Sequence, residues 1–173
     1  MSATIPVANP FTISDVFPTT VEHAFTLWTN PTELARWFGP QGTKIVVSDM
    51  DFRPGGLYHF AMELPNGARM WGKWLFREIS APAHGHARLV WEHSFSDVDR
   101  GYTRHPLAAD WPLILLATVT FDADPAGVRI TVEWTPERAT AAEISCFNAM
   151  HAATNQGWSG TFAQLHAYLQ PSA

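Results

Sequence analysis

The chain is poor in charge and nearly free of cysteine. Only 16% of its 173 residues are charged, 11 Lys and Arg face 16 Asp and Glu, and Cys146 is the single cysteine. One cysteine excludes an internal disulfide. A net charge of -5 leaves no basic stripe that would neutralise phosphates, so we expect no nucleic-acid partner.

Long hydrophobic runs are also missing. No apolar run approaches the roughly 20 residues that span a bilayer, and the N-terminal MSATIPVANPF lacks the charged start and apolar centre of a signal peptide. We therefore expect a cytoplasmic protein without a membrane partner. Aromatic residues, by contrast, are plentiful: 8 Trp and 11 Phe predict a large apolar interior that is hollow in part.

The hydrophobic period changes along the chain and predicts the order of the elements. The alternating run FTISDVF at 11–17 predicts a strand. Helical spacing follows at 19–31 and at 32–39, where Thr32 is the expected cap of the second helix. About six strands come next, joined by hairpin-sized turns such as Pro-Asn-Gly at 65–67.

The last part of the chain returns to a helical period. Residues 140–169 contain no proline, and apolar side chains recur there in steps of three and four, which predicts a single long amphipathic helix. The predicted fold is α+β: a curved antiparallel sheet of about six or seven strands around this helix, with two short helices after the first strand. We expect a flexible N-terminal arm at 1–10 and a single domain at 11–170.

Several short strings, in this order, are similar to one family. They are LARWFGP at 34–40, DFRPGG at 51–56, GKW at 72–74, SFSD at 94–97, TRHP at 103–106, TVTF at 118–121 and QGWSGTFAQL at 156–165. The chain resembles the SRPBCC or START-like (helix-grip) superfamily, and within it the family related to the C-terminal domain of the activator of heat-shock protein 90 ATPase.

The resemblance implies a cavity between sheet and helix that in relatives holds apolar or amphipathic small molecules. It does not imply one function, since the superfamily includes carriers, cyclases, hydroxylase domains and co-chaperone domains.

Aromatic and polar residues on the predicted inner faces are the candidate ligand contacts. The aromatic candidates serve either as core or as cavity walls; they are Trp28, Trp37, Tyr58, Phe60, Trp74, Trp91 and Trp158, and Phe25 and Trp134 share both interpretations. His93 follows the alternation of its strand, and His151 and Thr154 follow the helical stripe. Each imidazole either acts as a general base or ligand anchor, or is satisfied by a backbone carbonyl or by Tyr58 or Thr154.

The segment SFSDVDRGYTRHPLAADWP at 94–112 also admits two interpretations. Arg104 and His105 either reach the polar head of a ligand from a lid, or Arg104 pairs with Asp97, Asp99 or Asp110 in an ordered connection. His84 and His86 lack the further ligands that a zinc site needs, so we expect no metal and no cofactor.

Three functions remain open from the sequence. The leading hypothesis is a protein that holds an apolar or amphipathic small molecule. The alternatives are an acid-base enzyme of cyclase, dehydratase or hydrolase type using the same cavity, and a co-chaperone-like interaction module. The apolar run PLILLA at 112–117 makes a homodimer a further expectation.

Overall fold

The computed structural model describes residues 6–171. Part of the predicted N-terminal arm, residues 1–5, lies outside the described residues, and residues 6–10 belong to no helix or strand. The chain then forms β1 (Phe11–Phe17), α1 (Val21–Thr29), α2 (Pro31–Trp37), β2 (Lys44–Met50), β3 (Leu57–Glu63), β4 (Arg69–Ala83), β5 (His86–Ser96), β6 (Tyr102–Thr103), β7 (Leu115–Asp124), β8 (Gly127–Pro136), α3 (Ala141–Ala149) and α4 (His151–Leu169).

All the strands pair antiparallel in one sheet. The order is β1-β8-β7-β5-β4-β3-β2, and the two-residue β6 pairs with β5. The inner face of the sheet holds the core against the helices, which confirms the predicted fold class. Bulges in the β2–β3 and β4–β5 pairs bend the sheet, as an extra residue in one strand does.

Asn30, and not Thr32 as predicted, caps α2. The Asn30 side chain accepts hydrogen bonds from the backbone N–H groups of Thr32 (2.9 Å) and Glu33 (3.2 Å). Pro31 occupies the first helical position, where its missing N–H costs nothing. Asn30-Pro31 therefore ends α1 and begins α2 without a linker, which fixes the two short helices close together.

The long C-terminal helix that the sequence predicts is interrupted at Met150. The Met150 N–H is shared between the carbonyls of Cys146 and Phe147, so the last turn of α3 tightens toward a 3₁₀ turn. Thr140 and Glu143 form a capping box that starts α3. Among residues 6–171, no helix is both long and apolar enough to cross a membrane.

The connection between β4 and β5 is a two-residue turn. It consists of His84 and Gly85, which both have positive φ angles (51° and 74°), as a tight hairpin turn requires. Pro82 lies within β4 beside the register shift between Ser80 and Ala83, a position where a missing N–H is tolerated.

Candidate ligand-binding cavity

A cavity of about 290 Å³ lies between the inner face of the sheet, α4 and the segment after α2. Its size is near the lower end for small-molecule pockets, which span about 300–1,000 Å³. The lining is mostly aromatic and apolar, and consists of Phe38, Gly39, Pro40, Phe60, Met62, Met70, Trp71, Gly72, His93, Ser94, Phe95, His105, Trp111, Trp134, Met150, Ala153, Thr154, Gly157, Trp158 and Thr161.

Gly72 on β4 shapes the floor of this cavity. A Cβ atom at this position would lie 2.5 Å from Cζ of Phe60, its cross-strand partner on β3. The absence of a side chain at Gly72 thus lets the Phe60 ring lie flat over the sheet, where both residues face the cavity.

His93 is a polar side chain of the cavity wall. It lies on β5 between Trp74 of β4 and Leu115 of β7, and its ring stacks on the indole of Trp134 with 4.9 Å between ring centroids. Burial is the one influence on its titration among residues 6–171, with no hydrogen bond and no charged group contributing. Burial lowers the pKa of His93 to about 4, so the imidazole is neutral near neutral pH.

His105 reaches the cavity from the segment that connects β6 and β7. Its Nδ1 accepts a hydrogen bond of 3.0 Å from the backbone N–H of Leu107, so the proton of the neutral ring is on Nε2. The ring packs edge-on against Phe95, with centroids 4.8 Å apart, and burial lowers its pKa. His105 therefore offers a donor, and no positive charge, to the cavity.

The polar part of the lining also includes two threonines of α4, beside Ser94 and Trp134, whose Oγ and Nε1 atoms are buried without a partner among the described residues. The hydroxyl of Thr154 donates to the carbonyl of Met150 (3.0 Å), and that of Thr161 to the carbonyl of Gly157 (3.1 Å). Their protons are used within the helix, so each oxygen presents acceptor lone pairs only.

Five of the twelve candidate residues from the sequence line this cavity: Phe60, His93, His105, Thr154 and Trp158. Five aromatic candidates are instead part of the filled core: Trp28, Trp37, Tyr58, Trp74 and Trp91. They face inward as predicted and are buried where α1 and α2 cover the sheet, outside the lining of this cavity.

The core aromatics interlock with each other. Trp74 stacks on Trp91 with 4.4 Å between centroids, and Trp28 stacks on Trp158 at 6.1 Å. The Trp37 indole donates to the carbonyl of Leu27 (3.1 Å). Tyr58 lies 3.2 Å from the hydroxyl of Ser48, and burial raises its pKa to about 12. These contacts make them packing residues.

Arg104 and His151 also lie outside the cavity lining. Arg104 pairs with Glu143, and not with Asp97, Asp99 or Asp110 as predicted. Burial by itself would raise the pKa of Glu143, but hydrogen bonds from Arg104 and Thr140 outweigh it and hold this pKa below its usual value. The pair ties the β6–β7 connection to the start of α3.

His151 packs against apolar rings and is not among the residues that line the cavity. Phe147 and Phe11 pack against it edge-on, with centroids 5.0 and 5.8 Å away. Its Nε2 is buried without a partner among the described residues. The neighbours predicted to satisfy it do not, because Thr154 bonds to Met150 and Tyr58 bonds to Ser48.

Only half of the predicted lid lies near the cavity. Residues 97–103 fold onto the opposite face of the sheet, where the Asp97 carbonyl lies 2.9 Å from Nε2 of His59 and the Arg100 carbonyl accepts from Lys73 (2.7 Å). The second half of the segment contributes His105 and Trp111 to the cavity.

Several residues that line the cavity were not proposed from the sequence, for different reasons. Phe95 shares the strand alternation of His93, and Thr161 lies one helical turn after Trp158, so both were within reach of the pattern. Trp111 lies outside regular elements and had no period to place it, and Phe38, within the predicted helix at 32–39, follows the end of α2.

His86 has a structural role in the sheet. His86 Nδ1 lies 2.6 Å from a carboxylate oxygen of Asp122 across the β5–β7 pair. Between residues 6 and 171, no group of three or more His, Cys, Asp or Glu side chains is arranged to hold a metal ion.

Comparisons with known proteins agree on family and fold. A family model described as Activator of Hsp90 ATPase homolog 1-like protein matches residues 18–170. Protein Ms6760 from Mycobacterium smegmatis is 26% identical, with a TM-score of 0.72 over 95% of this chain and 92% of that one. A protein from Arthrobacter aurescens is 23% identical, with a TM-score of 0.71 over 95% of this chain and 91% of that one.

Protein NE0264 from Nitrosomonas europaea is 21% identical, with a TM-score of 0.70 over 92% of this chain and 93% of that one. No curated protein matches this chain. Because the family model covers residues from the start of α1 to the end of α4, this chain belongs to the Activator of Hsp90 ATPase homolog 1-like family.

Proposed function

We propose that this protein binds an apolar or amphipathic small molecule in the cavity between the sheet and α4. One observation carries the proposal: about 290 Å³ of space lies against Ser94 and Trp134, whose hydroxyl oxygen and indole nitrogen are buried without a hydrogen-bond partner among the described residues. Protein interiors are normally packed to crystal density. A hollow of this size next to an unused polar group is typical of a ligand site.

The structure supports the other two functions less well. His93 is the candidate base of an enzyme, but its pKa of about 4 makes it a weak base near neutral pH, and no lining residue carries a carboxylate that would orient it. A co-chaperone-like module that acts through its surface alone has no need of a hollow core. Binding is therefore the function that these residues favour.

The direct test is native mass spectrometry of the freshly purified protein, followed by organic extraction and identification of anything released. We expect a discrete adduct that disappears on denaturation. The Gly157→Leu variant fills the cavity from α4, where an added Cβ meets nothing within 4 Å, and should lose the adduct. Ala152→Leu, on the exposed side of the same helix, is the matched control and should keep it.

Two results would contradict the proposal. An adduct that survives unchanged in Gly157→Leu would place the bound molecule elsewhere. A clean apo mass from several expression hosts, combined with no binding of added apolar molecules, would mean that the cavity stays empty.

A further inference from the structure

The cavity lining contains no charged residue. All twenty lining residues are described, and none is Asp, Glu, Lys or Arg. The guanidinium of Arg104, the residue before His105, is held by Glu143 and the carbonyl of Trp111. A carboxylate or ammonium group that entered this space would lose its hydration without gaining a counter-charge, which is strongly unfavourable.

The polar groups that do line the cavity require a partner that is uncharged. His105 presents an Nε2–H donor, because its Nδ1 is occupied by the Leu107 N–H. The neutral ring of His93 offers one donor and one acceptor, and Thr154 and Thr161 offer acceptor lone pairs. Among the described residues, the Ser94 hydroxyl and the Trp134 indole N–H are buried without a partner. A hydroxyl group, which both donates and accepts, complements this set; a carbonyl complements the donors.

The apolar part of the lining favours a flat ligand. The indole of Trp158 lies at 76° to that of Trp134, with centroids 5.6 Å apart, and Phe38 packs against Trp158 at 6.1 Å. Flat aromatic surfaces pack well against such walls by offset or edge contacts. The modest volume of the cavity suits a molecule of one or two fused rings.

We infer that the ligand is an uncharged, flat aromatic molecule with a phenol-type hydroxyl, and that the cavity rejects the corresponding carboxylate. This inference rests on the proposed binding function and adds its chemical class. In the bound state, the ring lies among Phe38, Trp134 and Trp158, and the hydroxyl exchanges hydrogen bonds with His93 or His105.

The test uses three probes with the same ring system and different heads: naphthol, naphthalene and naphthoate. Each is titrated near neutral pH into the full chain, and its affinity is measured by protein NMR. We expect naphthol to bind about tenfold or more tightly than naphthalene, since it satisfies a polar group that otherwise stays unpaired. Naphthoate should bind about a hundredfold more weakly than naphthol.

Substitution of the histidine distinguishes recognition from general packing. His93→Phe keeps a ring against Trp134 but removes both nitrogens, so the advantage of naphthol over naphthalene should shrink toward onefold while naphthalene binds as before. His23→Phe, at an exposed histidine of α1, is the control and should leave all three affinities unchanged.

Each other outcome overturns a defined part of the argument. If naphthoate binds as tightly as naphthol, the uncharged class is wrong while the cavity remains a binding site. If naphthalene equals naphthol in the wild type, the polar recognition is wrong. If none of the probes shifts resonances of the cavity residues, this inference fails, while native mass spectrometry decides separately whether the proposed binding function fails.

Discussion

His93 gives the folded protein a pH dependence that belongs to one side chain. Its pKa is about 4 in the folded state and 6.5 for an ordinary histidine. As the pH falls below 6.5, the unfolded chain takes up this proton before the folded chain does. The contribution of His93 to the free energy of unfolding is therefore fully present above pH 6.5. It is lost as the pH falls toward 4, and this loss lowers the free energy of unfolding by about 3 kcal/mol at most.

Urea unfolding of the wild type and His93→Phe across this pH range checks the prediction. Acidic groups such as Glu143, whose folded pKa is lowered, also lose stabilising charge as the pH falls, and both proteins share that loss. The difference between the two curves should grow between pH 6.5 and pH 4. Curves that stay parallel would show that His93 protonates in the folded protein as easily as in water.

His93 and His151 show which properties of a single side chain can be predicted from the sequence. Alternation and helical spacing correctly predict that both side chains leave their elements on the inner side. The surroundings come from other parts of the chain: Phe11 and Phe147 close over His151, whereas the neighbours of His93 leave space. Sequence patterns predict the direction of a side chain. Whether that side chain meets a cavity or other side chains depends on residues that are distant in the sequence.

At the scale of elements, α4 contains two glycines whose substitution can distinguish an effect on helix stability from an effect on ligand binding. Gly157 lines the cavity and an added Cβ would meet nothing within 4 Å, while Gly160 lies outside the lining and its added Cβ would contact Pro40 at 3.6 Å. Replacing either glycine by alanine should stabilise the helix by about 0.5–1 kcal/mol. Only Gly157→Ala should also reduce naphthol affinity, because its methyl group occupies cavity space.

Urea unfolding and NMR titration of both variants test this separation. Equal stabilisation with unequal binding is the expected result. If Gly160→Ala weakened binding as much as Gly157→Ala, the effect would come from stiffening of α4 and not from occupied volume.

The β3–β4 pair makes a second prediction at this scale. Gly72→Ala would place a methyl group 2.5 Å from the Phe60 ring, and we expect a loss of about 1–3 kcal/mol from overpacking. Phe60→Leu removes the part of the ring that clashes. A double-mutant cycle by urea unfolding should therefore show that Gly72→Ala costs less in the Phe60→Leu background; additive effects would contradict the contact.

The elements themselves were largely predictable, and their exceptions have local causes. Hydrophobic period identified β1, the two short helices, the main strands and the C-terminal helical region. It did not reveal the break at Met150, where no proline or glycine marks the change, nor the fold of residues 97–103 onto the opposite face. That fold is fixed by His59 and Lys73, which belong to distant strands.

Over the whole molecule, the interior between the sheet and the helices has two ends that differ in packing. At one end α1 and α2 cover Trp28, Trp74 and Trp91, which belong to the hydrophobic core. At the other end the sheet and α4 diverge around the cavity. The abundance of aromatic residues predicted a hollow interior, but only the three-dimensional packing decides which end is hollow. The homodimer inferred from PLILLA stays a prediction, which analytical ultracentrifugation can check.

Ligand binding should stabilise the entire fold, because the cavity is formed by elements from both ends of the chain. A ligand at a hundredfold its dissociation constant adds about 2.7 kcal/mol to the free energy of unfolding, if it binds only the folded state. For a chain of 173 residues, this raises the midpoint of thermal unfolding by about 5–10 °C. Calorimetry with naphthol should show this rise in the wild type and in Gly160→Ala. Gly157→Ala should begin with a higher midpoint but gain less at the same naphthol concentration, since its cavity is partly filled. A rise of equal size in all three proteins would mean that naphthol stabilises the fold from a site outside the cavity.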